Sequence, residues 1–311
     1  TDFTSFHLQV KDVGFVKNFI AGDYVLEYGQ GLALWSPLGF SKGADAVFPV
    51  KKRARYLRPY TSAAEYRYYR GAAAQLLFDD FSLTAFYSNN TFDATIDSIT
   101  REITSVGQTG FHRFESELSK KAASKSKIIG GVLDYKFLGR MNLGLIYYNA
   151  SFNNKFESSS IYDLSGDNFN YLSAYYELNF SKINIFGEAS FDGKSIASIN
   201  GIQFSANREL IFTTAVRSYP RNYINLYGFG FSEKSGTINN ELGIYSGLKW
   251  KIPFGVLNFY YDIYKFPYRT NENSLSSEGN DLLIDFVSMP LPKSEVRLRY
   301  KYENKEVTEL I

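Results

Sequence analysis

Gly22-Asp23-Tyr24-Val25-Leu26-Glu27-Tyr28-Gly29-Gln30-Gly31-Leu32-Ala33-Leu34-Trp35 is the stretch on which the reading of the fold turns. Taken alternately, one side carries Ile20, Tyr24, Leu26, Tyr28, Leu32 and Leu34. The other carries Asp23, Glu27, Gly29, Gly31 and Ala33. A period near two is that of a β-strand with one apolar face and one small or acidic face. The segment, from about Lys17 to Trp35, is longer than the ~5–6 residues usual in a soluble sheet. Read as a membrane-spanning stave, it turns Tyr24, Leu26 and Leu32 toward lipid and Asp23 and Glu27 inward.

The same pattern recurs along the chain. Ile129, Gly131, Leu133, Tyr135 and Phe137 share a face, as do Leu143, Leu145 and Tyr147. Leu172, Ala174, Tyr176, Leu178 and Phe180 alternate with Ser173, Tyr175, Glu177 and Asn179. Leu242, Ile244, Leu248 and Trp250 oppose Glu241, Tyr245, Lys249 and Lys251, and Val296, Leu298, Tyr300 and Tyr302 oppose Arg297, Arg299 and Lys301. Further strands are read over roughly 195–207, 209–219, 222–233 and 240–251. Asp192-Gly193 is a two-residue hairpin signal. The total is about 15–16 strands of about ten residues, antiparallel by their turn lengths.

Composition agrees. Of 311 residues 25 are Tyr and 27 Phe, yet mean hydropathy is only −0.24, so the apolar residues are dispersed along the chain. No run reaches the ~20 apolar residues of a spanning helix. There are no cysteines, which excludes disulfides and thiolate metal sites, and a formal charge of +2 gives no global pull toward nucleic acid. Strands with a greasy face and a face of Asp, Glu, Lys, Arg, Asn, Tyr and Gly are those of an antiparallel transmembrane β-barrel. Closure of such a barrel satisfies the backbone, and the polar face lines a lumen. A soluble sandwich or β-solenoid is the alternative. Thr1 opens directly on a strand-like pattern, so the expectation is a processed or partial chain.

Two long connections interrupt the strands. Residues 36–62 hold Pro37, Gly39, Gly43, Pro49 and Pro59 as breakers. Residues 92–125 include Phe111–Ser124, where Glu115, Leu118 and Ala122 stand at helical spacing. A short helix is expected there, with a strand as the alternative. These two connections and 153–168 fall at one end of the barrel, as extracellular loops do. The connection 265–280 falls at the other end and breaks the rule.

The candidate site residues are charged. Asp23, Glu27, Glu65, Glu177, Glu188, Glu241 and Asp262 read as inward carboxylates. Arg217, Lys249, Lys251, Arg297 and Arg299 read as inward bases. They form either a salt-bridged network around a plug or an ion-selecting constriction. Lys51, Lys52, Arg53, Arg55 and Arg58 make the sharpest basic run. That run fits a loop folded into the lumen against the acidic wall, a contact to lipopolysaccharide phosphates, or a contact to nucleic-acid phosphates. The glycines at 29, 31, 130, 131, 228 and 230 let strands bend or let a plug approach the wall. His7 and His112 are the only histidines, and neither has a metal-binding cluster or nucleophile motif nearby. His112 reads as a polar residue near a helix start, with catalysis as the weaker alternative. No metal, cofactor or enzymatic activity is expected.

The chain also resembles a family. Gly22-Asp23-Tyr24 with Gly29-Gln30-Gly31-Leu32 and Trp35 is followed by Glu65, Arg70-Gly71-Ala72-Ala73, Phe86-Tyr87-Ser88 and Asp93-Ala94. Gly110, His112-Arg113, Glu117-Leu118 and Lys120-Lys121 follow in order, then Gly187-Glu188, Arg217-Ser218-Tyr219, Asn240–Tyr245, Tyr261-Asp262 and Arg297–Tyr300. This order resembles the C-terminal β-barrel region of the helix-hairpin-helix domain-containing envelope proteins of Gram-negative bacteria. The resemblance implies an outer-membrane location. It also implies N-terminal helix-hairpin-helix repeats, a fold that elsewhere grips the DNA backbone without sequence preference. On that view residues 1–311 are a single barrel domain, a fragment of a larger barrel without those repeats and without C-terminal strands. Its first and last strands then need not pair. Two functions follow as expectations. One is a passage or uptake pore, linked to DNA through the missing repeats. The other is a plugged structural barrel anchoring a periplasmic domain or complex. A barrel-embedded lipid hydrolase is a distant third. Expected partners are outer-membrane lipid, lipopolysaccharide and envelope proteins, with nucleic acid only through the missing domain or the basic loop.

Overall fold

The computed structural model describes every residue except 1–2, 37–38, 40–41, 63–66, 108–109, 158–162, 235, 271–272 and 307–311. Its strands are β1 (His7–Val13), β2 (Val16–Glu27), β3 (Tyr56–Pro59), β4 (Tyr69–Phe78), β5 (Phe81–Phe92), β6 (Ala94–Ile96), β7 (Ile103–Val106), β8 (Ser124–Phe137) and β9 (Met141–Phe156). They continue as β10 (Gly166–Phe180), β11 (Ile183–Phe191), β12 (Ile196–Ser205), β13 (Leu210–Tyr219), β14 (Glu241–Ile252), β15 (Gly255–Phe266), β16 (Ser277–Ser288) and β17 (Val296–Lys305). All 17 belong to one sheet. Setting aside the short β3, β6 and β7, the other fourteen form one wall in which each strand pairs antiparallel with the next. Among the described residues no ladder joins β1 to β17.

The two faces of this wall differ as the alternation requires. Leu133, Leu145, Leu172, Val216, Ile244, Ile263 and Leu298 are exposed on the outside. Val132, Ile146, Tyr171, Ala215 and Tyr245, next to them in sequence, are buried on the inside. In water such an outer belt would cost about 25 cal/mol per Å² of apolar surface; in a bilayer it is the contact surface. The architecture is that of an antiparallel transmembrane barrel wall, with the exposed apolar belt of an outer-membrane protein.

Three details differ from the sequence reading. The expected helix is one turn, α1 (Glu115–Leu118). Residues 222–233 are not a strand but part of an irregular connection between β13 and β14. Pro220 ends β13, and Gly228, Gly230 and Gly236 accompany the inward course of the chain. Removing that strand restores loop parity. The connections 28–68, 93–123, 157–165, 220–240 and 267–276 now lie at one end, and the shorter turns at 79–80, 138–140, 181–182 and 253–254 at the other.

The third difference concerns the opening strand. β2 ends at Glu27, eight residues short of the expected Trp35. Its greasy face points inward. Tyr24 is the ladder partner of Tyr69, whose ring meets Phe86 at 6.2 Å, and both belong to the buried cluster with Tyr28, Ile146 and Tyr148. Asp23 therefore faces the opposite, outer side, as a correction to the inward assignment. There it takes a bidentate contact from Arg70, at 2.7 and 3.0 Å, and the Phe6 N–H. The Arg70 guanidinium lies over the rings of Phe3, Phe6 and Tyr68, which cover the pair. The cause is the content of the lumen. A greasy face belongs inside where protein rather than water fills the barrel. The remaining wall strands keep the alternation read from the sequence, so the correction is local.

Candidate functional site

The interior is occupied by two stretches of chain from the long-loop end. The first begins at Tyr28, where Gly29 (φ 58°) and Gly31 (φ 82°) adopt left-handed backbone and turn the chain away from the wall. This turn presents three N–H groups to one wall carboxylate. Glu188 of β11 accepts the amides of Gln30 (2.5 Å), Leu32 (3.1 Å) and Ala33 (3.0 Å), with the Ser173 hydroxyl as a fourth donor at 2.8 Å. Successive N–H groups around a left-handed turn form an anion-binding concavity, and here the anion is the protein's own.

The second stretch is 220–240. The Trp35 N–H donates to the Tyr227 carbonyl (2.9 Å), and the Phe229 N–H donates to the Gly31 carbonyl (2.8 Å). The Tyr223 hydroxyl and the Asn225 amide both donate to Leu32 O, at 3.0 and 2.9 Å. A Cβ on Gly228 would stand 2.5 Å from that same Leu32 oxygen, and one on Gly31 would stand 2.6 Å from Phe229 O. Glycine is required because two backbones touch. Gly31, Gly228 and Gly230 thus serve close approach within the plug, and Gly29 serves its approach to Glu188 and Tyr175 of the wall.

Beyond Trp35 the first stretch continues inside. The Tyr245 hydroxyl donates to Ala46 O at 2.8 Å, beside Gly247, where a Cβ would lie 2.0 Å from that oxygen. The basic residues of this loop pair with the wall. Lys51 meets Glu177 and Arg55 meets Glu27, while Lys249 reaches Asp45 of the loop. Lys42 lies among Glu233, Asp262 and Asp281. Burial disfavours the Lys42 ammonium, but Asp262 and Glu233 outweigh it and raise its pKa. Lys52 is buried, with its ammonium 4.6 Å from the Trp35 ring centroid and 4.9 Å from that of Phe229. Burial pushes it down to about 7, against the pull of Glu27 and Glu188. Arg53 stacks over Phe48 at 5.0 Å. Arg58 is exposed on β3, opposite Val25 of β2, and takes no part in this packing. Of the three readings of the basic run, the loop folded against the acidic wall is the one realised for Lys51 and Arg55.

The wall charges also pair with one another. Arg217 is buried, bidentate to Asp262 at 2.8 and 3.0 Å, and bonded to Glu241. A Cβ on Gly243 would stand 2.4 Å from the guanidinium carbon, so that glycine makes the room. Arg297 and Arg299 share Asp285 at 2.9 and 2.8 Å. Lys251 is exposed at the short-turn rim rather than inside the network. Glu65 lies outside the described residues. Lys42 is one of the basic residues of the 36–62 loop, whereas Glu233 and Asn225 carry no signal of their own in the sequence. His112 is buried with Nε2 2.7 Å from Asp93, whose other oxygen accepts the Ala122 amide. It fastens the connection that carries α1. Among the described residues no group of three or more His, Cys, Asp or Glu is arranged to hold a metal ion.

The plug leaves a cavity of about 1030 Å³, lined by Trp35, Gly39, Asp45, Phe48, Pro49, Lys51, Lys52, Arg53 and Arg55. Lys52 and Arg53 face rings rather than a carboxylate within ion-pair distance, among the described residues.

No family model matches the chain. No curated protein matches it either. Among solved structures it is similar to Pseudomonas aeruginosa OpdQ, at 11% identity over 97% of this chain and 77% of that one, with a TM-score of 0.49. It is also similar to a doubly substituted form of OccD1 (OprD), at 12% identity over 93% of this chain and 69% of that one, with a TM-score of 0.43.

Proposed function

We propose that the chain is an outer-membrane passage narrowed by an internal plug, in which the remaining space favours anionic solutes. The observation that carries this reading is the cavity of about 1030 Å³ edged by Lys51, Lys52, Arg53 and Arg55. A charged ring in a low-dielectric constriction selects by sign. Arg53, exposed over the Phe48 ring, keeps its charge available to a solute. The test is the reversal potential of the purified protein in planar bilayers under a potassium chloride gradient. Chloride preference that falls in Arg53→Glu supports the reading; cation preference, or none, contradicts it.

A second reading has its own observation. The two stretches hydrogen-bond backbone to backbone across the lumen, which suits a sealed barrel that anchors an envelope complex. A protein that inserts and never conducts fits this version. The nucleic-acid version rests on the basic run at 51–58 and on the family resemblance. It predicts that single-stranded DNA added to the same bilayer blocks or alters the current.

A further inference from the structure

Apart from the basic run at 51–58, a lysine pair stands on the outside of the barrel, beyond its aromatic rungs. The outer face of β5, β8, β9 and β10 is ordered rung by rung. Leu83, Leu133 and Leu145 form one rung, and Ala85, Gly131, Tyr147 and Leu172 the next. Above these come Tyr87, Ile129, Asn149 and Asn170, then Asn89, Lys127, Ser151 and Asn168, then Thr91 and Lys125. The face thus passes from aliphatic to aromatic and amide to lysine within a few rungs. It does so toward the long-loop end, which faces outward in barrels of this kind.

Lys125 and Lys127 are both exposed. Neither has a carboxylate within ion-pair distance among the described residues. The Lys127 ammonium lies 5.8 Å from the Tyr87 ring centroid. Two residues apart on a strand, the side chains start about 6.6 Å apart on one face, a spacing that lets two ammonium groups converge on one phosphate. Lys155, exposed near the end of β9, adds a third positive charge toward the same rim.

We infer that Lys125 and Lys127 form a docking site for the headgroup phosphate of a phosphorylated glycolipid of the outer leaflet. Beyond the aromatic rungs, the neighbours of these lysines are acyl chains below and lipid headgroups beside. Charge complementarity then selects the phosphorylated lipid. Each lysine near an anionic membrane surface contributes enough that losing both weakens binding about thirtyfold.

The test uses the whole chain in phosphatidylcholine nanodiscs doped with bisphosphorylated lipid A or with its dephosphorylated form. Retention through exchange into lipid A-free discs is read by native mass spectrometry. The protein is expected to retain the bisphosphorylated lipid and release the dephosphorylated one. Lys125→Ala/Lys127→Ala is expected to lose retention about thirtyfold, and Lys17→Ala/Lys182→Ala, at the opposite rim, to keep it. Equal retention of both lipids by the unaltered protein overturns the inference, and this comparison stands whether or not a variant folds. Unchanged retention in Lys125→Ala/Lys127→Ala, or displacement by inorganic phosphate alone, also overturns it.

Discussion

Replacing Glu188 by Gln changes only one atom and the charge, yet it strikes the contact that fastens the plug to the wall. The carboxylate receives three backbone amides and one hydroxyl in a buried site. A glutamine keeps one acceptor oxygen. In its best orientation that oxygen serves Gln30 and Leu32, while the new NH₂ sits beside Ser173, whose hydroxyl can turn to accept. The Ala33 amide is then stranded, at about 1–3 kcal/mol, and the two remaining bonds lose their charge assistance, at roughly 0.5–1.5 kcal/mol each. A loss near 3 kcal/mol raises the population with a detached plug by about two orders of magnitude. Single-channel recording reads this directly as a rise in open probability, or as the first openings of a silent protein. The barrel itself is expected to remain folded, because the altered contact lies between wall and plug. A Glu188→Gln protein that inserts normally and shows the same open probability as the parent, within about threefold, would refute the role of this contact.

Three further outcomes follow from the interior. Arg217→Met leaves Glu241 and Asp262 buried without their guanidinium, a loss of about 3–5 kcal/mol, read as a lower unfolding temperature in detergent. Gly228→Ala drives a Cβ against Leu32 O. The two loops separate at a cost of about 1–3 kcal/mol, and the variant shows more frequent openings with little change in barrel stability. In a Trp250→Phe background, Trp35 is the sole indole, and its emission is expected to titrate near pH 7 as Lys52 gains its proton; Lys52→Met removes the transition. Because the Lys52 pKa is depressed on folding, the unfolded chain holds a proton the folded chain lacks between about pH 7 and pH 10.4. Stability therefore falls as pH drops through that window and rises with pH across it, and Lys52→Met flattens the rise.

The outer face was the more legible part of this protein. Lipid imposes one rule at every rung, and residues such as Leu133, Leu145, Leu172 and Ile244 obey it in the sequence as in the structure. The inner face obeys whatever fills it. Around Arg217, Glu241 and Asp262 the filling is charge, and the inward assignment from alternation agrees with the structure. Around Tyr24 and Tyr28 the filling is the aromatic surface of residues 28–35 and 220–240. A polarity rule derived for a watery lumen inverted the register there. Residues 222–233 misled for a related reason. Tyr223, Asn225, Tyr227, Phe229 and Phe231 alternate like a strand, but the backbones of Tyr227 and Phe229 bond to a neighbouring loop and the rings of Tyr227 and Phe231 pack on the wall. The break was announced by Pro220 and by the glycines that follow. The basic run at 51–58 was visible as charge, whereas its target was set by long-range folding: Glu177 and Glu27 lie far from it or across a loop in sequence, and only the ladder brings them near.

Two inward stretches, meeting at Gly31 and Phe229, plug the lumen beside the inner wall. The absence of cysteine makes a direct measurement simple. Single cysteines are placed at Ala215, buried on the inner wall, and at Arg299, exposed on the inner face of β17. Each protein is treated in membranes with a water-soluble methanethiosulfonate. The structure predicts rapid labelling of Arg299→Cys and essentially none of Ala215→Cys, with labelling at 215 restored when Glu188→Gln is added. Labelling of Ala215→Cys alone at the rate of Arg299→Cys would mean a water-filled lumen, and would contradict the plug.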